Sequence, residues 1–319
     1  MGVILGVDGG NTKTDLLVVA GDGRPLAYLR GPGSNSHGRR GAAGCIDVIA
    51  SLVDRAALDG PAEHGAFFLC GADVPQDIEE LRAEIGARAW VREATVDNDT
   101  FALLRAGSDR PDAVAVVCGA GINCVGRSAG GRVARYPALG WETGDWGGGE
   151  PLGREALFHA VRAEDGRGEP TVLVDALRAH FGTETVCALG EDVHYRRTPG
   201  ARLGEIAPAV LGAAAAGDAV ASRLVERLAG EIVLLVERAC RDLGVDDVDA
   251  VLGGGMLAGR GYLHGLVVSR LPAAAAPVTP SLPPVVGSAL AALEAAGAQS
   301  AAALLLRELA VHLEPTDLR

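Results

Sequence analysis

Lysine is almost missing from this chain. Lys13 is the single lysine among 29 basic side chains, and the rest are arginine. Where composition alone chooses, a cation here is a planar guanidinium. The one compact ammonium therefore reads as a position that requires it. Cysteine pairs are missing too. Cys45, Cys70, Cys118, Cys124, Cys187 and Cys240 form no C-x-x-C motif, and Cys45, Cys70, Cys118 and Cys240 lie in apolar runs. That is the pattern of buried free thiols in a reducing compartment. No HExxH and no histidine–cysteine spacing occurs, which argues against a zinc site. No basic run exists and the formal net charge is -12. Nucleic acid and anionic membranes are thus excluded as general partners. A nucleotide is not excluded, because backbone N–H groups and Mg²⁺ can hold it locally.

Long hydrophobic runs free of charge are absent, so no bilayer span is expected. The chain enters a strand at once, without a charged leader or cleavage site, and Gly6 stands where N-myristoylation wants Ser or Thr. The expectation is a soluble cytoplasmic protein. Two familiar phosphate loops are also lacking. A P-loop needs Gly-Lys-Ser/Thr opening a helix, but here Thr12 precedes Lys13 and a strand follows. A Rossmann fingerprint, G-x-G-x-x-G opening a helix, does not occur either.

What is present is 319 residues, 48% of them hydrophobic, enough for two domains of ordinary size. The organising stretch is Val3 to Val19. Two short β-branched or leucine-rich runs flank the polar tip Asp8-Gly-Gly-Asn-Thr-Lys13. Such a tip can turn sharply and present N–H groups, with Asn11, Thr12 and Thr14 adding side-chain donors. It suits phosphate oxygens; an ordinary tight hairpin is the plain alternative. Asp8 ends the first strand, where a carboxylate could hold hydrated Mg²⁺.

Further strands are expected at 25–30, 66–70 and 90–96, and helices at 41–58, 75–85 and 101–106. This β-β-β-α-β-α-β-α order implies an α/β layer fold. The same order restarts at Ala113, with strands at 114–118, 124–127 and 133–136 and a glycine-rich first turn. Helices follow at 151–162, 170–181, 203–216, 217–243, 261–271 and 285–297, a strand at 249–252, and a last helix at 298–313. Two such halves suggest phosphates gripped from both sides, with Gly119, Ala120 and Gly121 as the second clamp. Asp97 and Asp99 sit at a strand C-terminus, where α/β active sites form. Either could accept a hydroxyl proton, or cap the next helix. Trp141, Asp145 and Trp146 lie in a glycine-dense loop whose aromatic faces and carboxylate suit a sugar ring. Asp145 could instead cap the helix starting near Pro151. Asn35 and His37 sit in an aperiodic polar loop, where ordinary turn chemistry is the alternative. Gly253-Gly-Gly255 after a strand lets a flat ligand approach the backbone.

In order and spacing these motifs resemble the sugar kinase/Hsp70/actin superfamily, in particular the N-acetylglucosamine kinase branch of the BadF/BadG/BcrA/BcrD ATPases. The resemblance covers residues 3–297. It implies two ribonuclease-H-like (actin-like ATPase) domains with a nucleotide and sugar cleft between them. They would span 1–112 and 113–284, with 285–319 as C-terminal helices packing back toward the first. It implies phosphoryl transfer from Mg·ATP to a sugar hydroxyl, O6 of N-acetylglucosamine above all, with glucosamine, another hexose or an ATP-hydrolysing activator as alternatives. The catalytic aspartate then falls on Asp99. ATP contacts fall on Gly9, Gly10, Asn11, Thr12, Lys13, Gly119, Ala120, Gly121, Gly253, Gly254 and Gly255, and the metal on Asp8. Sugar contacts fall on Asn35, His37, Asp99, Asn123, Trp141 and Asp145. A homodimer is the expected assembly. Two departures stand out: Ala120 occupies a place the family often gives to Thr, and Gly144-Asp-Trp-Gly-Gly148 replaces Gly-Asp-Glu-Gly-Ser.

Overall fold

The computed structural model describes residues 2–38, 40–298, 303–304 and 306–308. Ten strands and ten α-helices run through the described residues. In chain order they are β1 (Val3–Gly9), β2 (Lys13–Ala20), β3 (Pro25–Pro32), α1 (Gly41–Ala56), β4 (Ala62–Leu69), α2 (Pro75–Gly86), β5 (Val91–Asn98) and α3 (Thr100–Gly107). Then follow β6 (Ala113–Cys118), β7 (Ile122–Arg127), β8 (Val133–Arg135), α4 (Gly149–Glu164), α5 (Leu173–Phe181), α6 (Val186–His194), α7 (Ala207–Ala215) and α8 (Ala219–Leu243). Last come β9 (Val248–Gly253), α9 (Tyr262–Arg270), β10 (Ala275–Val278) and α10 (Pro284–Ala295).

The strands form two five-stranded sheets, ordered β3-β2-β1-β4-β5 and β10-β9-β6-β7-β8. Read from its other edge, the second order matches the first strand for strand. The topology is therefore duplicated, as the two glycine-rich hairpins suggest. In the first sheet β1 pairs antiparallel with β2 and parallel with β4, and β4 pairs parallel with β5. Alternation along the strands splits the side chains between two apolar layers. Leu5, Val7, Leu16 and Val18 pack with residues of α1 and α2. Ile4, Leu17, Val19 and Phe68 pack with residues of α3 and α10. Gly6 is what lets α10 lie directly on β1, since a Cβ there would be 2.5 Å from the Ala289 backbone nitrogen.

The chain divides into two compact units. One comprises Met1–Ala115, Val125–Pro137 and Val278–Arg319; the other comprises Val116–Cys124 and Ala138–Pro277. The second unit carries most of the helices. Its longest, α8, buries Leu224, Leu228, Ile232, Val236 and Leu243 along one stripe. The Asp218 side chain caps it, accepting from Ala221 N at 2.9 Å, and Gly244 ends it at φ 64°.

Three local readings differ from expectation. The helix expected over 203–216 begins as a 3-10 turn, Gly200–Ile206, and becomes α7 at Ala207, just before Pro208. Proline at the second helical position starts a helix and does not continue one. Helix α6, with Thr185 capping Ala188 N at 3.0 Å, and the short strand β10 were not expected at all. The last helix expected over 298–313 lies mostly outside the described residues. Cys45, Cys70, Cys118, Cys124 and Cys240 are buried and Cys187 is exposed. Among the described residues no helix is long and apolar enough to cross a membrane.

Candidate active site

In the first unit, strand register places a row of side chains across all five strands. Asp8 on β1 lies opposite Asp15 on β2 and Phe68 on β4. Asp15 lies opposite Arg30 on β3, and Phe68 opposite Asp97 on β5. Partners in register project from one face, and Phe68 fixes it as the face covered by α3 and α10. Three carboxylates thus share one row, and arginine serves the outer two. Arg30 donates to both Asp15 oxygens at 2.6 and 3.0 Å. Arg135 Nη2 lies 2.8 Å from each oxygen of Asp97.

Asp8, at the centre, has other carboxylates around it. Burial, then the charges of Asp99 and Asp15, push its carboxyl up to about 8. Asp99 stands at the start of α3, the next turn along. Burial, then the charge of Asp73, raise it to about 7. Its carboxylate makes no capping hydrogen bond to α3. Asn98 does that work, its Oδ1 accepting from Thr100 N at 2.9 Å. The two aspartates that the sequence leaves as equals are therefore different: Asp97 is locked by arginine, and Asp99 is a carboxylate poised near neutral pH. Asp8 is a hard oxygen donor whose proton a cation would displace, so this carboxylate fits Mg²⁺.

The hairpin tip sits beside Asp8. Gly10 N donates to Lys13 O at 2.9 Å, closing the turn, and Ser34 N donates to Gly10 O at 3.0 Å from the strap that follows β3. Thr14 Oγ1 donates to Pro32 O and also lies 2.8 Å from Ser34 Oγ. Asn35 Nδ2 reaches Asn11 Oδ1 at 2.6 Å, and its own Oδ1 accepts from His37 N at 2.7 Å. Asn11, Asn35 and His37 are thereby brought to one place. Lys13 Nζ lies 2.8 Å from Asp15 Oδ2, on the same carboxylate that Arg30 holds. Asp15 and Asp73 are the residues that reading the sequence misses. Their importance comes from cross-strand register and a long-range turn, which no local motif signals.

In the second unit, the β6–β7 tip is built on the ends of two strands. Gly119 N donates to Gly121 O at 2.9 Å, and Gly149 N, opening α4, donates to Gly119 O at 2.8 Å. Gly254 follows β9 at φ 87°, where a Cβ would lie 2.4 Å from the Cys118 carbonyl oxygen. Only glycine fits there, and Met256 N then reaches Cys118 O at 3.0 Å. Gly253 to Gly255 and Gly119 to Gly121 therefore lie together. At Gly119, Gly121 and Gly255 a Cβ would meet nothing within 4 Å, and none of the three has a positive φ. Neither the fold nor the backbone demands glycine at these points, and the tips are left open. Asn123 enters β7, its Oδ1 accepting from Cys124 N at 2.7 Å.

In the Trp141–Trp146 loop the two indoles part ways. Trp141 is 81% exposed and Trp146 is 7% exposed. Arg227 covers one face of Trp146 at 3.9 Å from the ring centre. Asp145 accepts from the Thr143 hydroxyl and its own N donates to Gly140 O. It does not cap α4, whose N-cap is Gly148.

Two sheets of one topology, each carrying a glycine-rich tip after its central hairpin strand, define an actin-like ATPase fold. More particularly, the chain belongs to the BadF/BadG/BcrA/BcrD ATPase family, whose pattern matches residues 5–292. It is 24% identical over 276 residues to the N-acetylmuramic acid/N-acetylglucosamine kinase of Clostridium acetobutylicum, covering 83% of this chain and 88% of that one. It is 24% identical over 292 residues to the N-acetyl-D-glucosamine kinase of Dictyostelium discoideum, covering 84% and 90%. The crystal structure of a candidate N-acetylglucosamine kinase from Chromobacterium violaceum superimposes with a TM-score of 0.72 at 21% identity, covering 91% of this chain and 98% of that one.

Proposed function

We propose that this protein is an ATP-dependent kinase of an amino sugar, forming N-acetylglucosamine 6-phosphate from N-acetylglucosamine. The observation that carries the reading is Asp99. It is a carboxylate held near neutrality at a strand end, uncommitted to arginine or to a helix cap, in a family of ATPases. In its ionised form Asp99 accepts the proton of the sugar hydroxyl as that oxygen attacks the γ-phosphorus in line. The γ-phosphoryl passes to the sugar and ADP leaves. Gly9 to Thr12 line the phosphates, with Asn11 and Thr12 presenting backbone N–H groups and Lys13 a cation. Gly119 to Gly121 form a second phosphate cradle, and Gly253 to Gly255 lie against the adenosine. Asp8 would hold Mg²⁺, which when bound neutralises charge on the phosphates. Asn35 and Asp145 bind sugar hydroxyls, with His37, Asn123 and Trp141 around them. Dependence on ATP argues for work in the cytoplasm, and family resemblance argues for a homodimer, which light scattering would test.

The deciding experiment is ADP formation from Mg·ATP against a panel of sugars: N-acetylglucosamine, N-acetylmuramic acid, glucosamine, N-acetylmannosamine and glucose. Stimulation by N-acetylglucosamine, with a phosphorylated product in the mass spectrum, is the expected result. ADP release indifferent to every sugar would replace the kinase with an ATP-hydrolysing switch.

A further inference from the structure

We infer that Asp73 is a positioning residue for the base Asp99 and acts through Asn98; this rests on the reading of Asp99 given above. The argument is geometric. β4 ends in a turn that Gly71 makes at φ 82°, where a Cβ would lie 2.3 Å from Ser36 Oγ. The turn is then locked from ahead, because Asp77 Oδ2 accepts from Asp73 N at 3.3 Å and from Val74 N at 3.1 Å. The Asp73 side chain also reaches the end of β5. Its Oδ1 accepts from Asn98 Nδ2 at 2.8 Å. The other end of the same amide accepts from Thr100 N at 2.9 Å. Asn98 is 4% exposed, so water does not substitute for either partner.

Asn98 and Thr100 flank Asp99. With both ends of the Asn98 amide held, the peptide units on either side of Asp99 are fixed, and so is the direction in which its carboxylate leaves the chain. Remove the Asp73 oxygen and a buried N–H pair loses its acceptor. The amide is then free to turn, and its grip on Thr100 N goes with it. A base displaced by a fraction of an ångström loses rate without losing ligand, since effective molarity depends steeply on alignment. After burial, the charge of Asp73 is the next influence that raises the Asp99 carboxyl.

The test compares Asp73→Ala and Asp73→Asn with the unmodified protein, using Mg·ATP and the sugar that the panel identifies. Asp73→Ala should lower kcat roughly 10- to 100-fold while the KM for ATP stays within about twofold. Asp73→Asn keeps an acceptor oxygen in place and should recover most of kcat. In an Asp99→Asn background, Asp73→Ala should cost almost nothing more, because the group it positions is already gone. A kcat for Asp73→Ala within about twofold of the unmodified protein would overturn the inference. So would an undiminished loss in the Asp99→Asn background, which is the mark of general damage. Should the alanine variant not fold, Asp73→Asn decides alone: a folded protein with most of kcat gone rejects the hydrogen-bonding role. If the unmodified protein shows no sugar-dependent turnover, the kinase reading fails first and the base to be positioned fails with it.

Discussion

Two aspartates two residues apart carry opposite assignments, and the reason lies outside their own strand. Asp97 projects into the row shared by Asp8 and Asp15 and meets Arg135; Asp99 has passed into α3 and meets Asp73 and burial instead. Sequence motifs named the pair, and family resemblance preferred Asp99. The physical ground for that preference, one locked carboxylate and one poised, became legible only when strand register and Arg135 were known. Asp99→Asn should cut kcat by roughly 10²-fold or more, the scale of a positioned base, with both KM values nearly kept. Asp97→Asn should cost less than about tenfold and lower thermal stability, since it strands Arg135. Steady-state kinetics beside thermal unfolding distinguish them, and a reversal of the two kinetic effects would move the base to Asp97.

At the scale of elements, hairpins and amphipathic helices were readable because their signals are local: alternation, glycine tips and 3.6-residue spacing. What escaped has equally local causes. Helix α6 has nine residues and buries only Val186 and Leu189, too few to write a periodic stripe. β10 has four residues, most of them alanine or proline. The glycines divide into two kinds that sequence cannot separate. Gly254 is glycine for the fold's sake, with φ at 87° and the Cys118 carbonyl 2.4 Å from any added Cβ. Gly121 has open space and an ordinary φ. Gly254→Ala should therefore destabilise the protein by roughly 2 kcal/mol or more through backbone strain alone. Gly121→Ala should leave the melting temperature unchanged yet raise the KM for ATP severalfold. Thermal unfolding without nucleotide and ATP titration read the two effects. A destabilised Gly121→Ala with normal ATP affinity would mean that this tip is glycine for folding and not for phosphate.

Taken whole, the molecule repeats one five-stranded topology, and the sequence shows that repeat as two glycine-tipped hairpins despite little identity between them. It does not show that a row of carboxylates crosses the first sheet, because register joins residues that are tens of positions apart. That row has a consequence for the stability of the entire chain. Asp8 and Asp99 have an ordinary carboxyl value of 3.8 when unfolded and about 8 and about 7 when folded. The folded state thus binds protons more tightly than the unfolded chain at both groups. Their contribution to stability is fully present below about pH 4 and is lost as pH rises through 7 and 8. Without nucleotide, the protein should melt at a lower temperature at pH 8.5 than at pH 6. A net charge of -12 gives repulsion of the same sign, so the slope alone does not identify the pair. Asp8→Asn does: it removes the central carboxylate and its repulsion of Asp99. The variant should gain more over the unmodified protein at pH 8.5 than at pH 6, where only part of the cost of protonating Asp8 on folding is present. Saturating Mg·ATP, which favours the ionised pair, should shrink that gain. Melting curves for the two proteins that stay parallel from pH 6 to pH 8.5 would show that the row stores no such repulsion and that Asp8 is ionised in the nucleotide-free protein throughout.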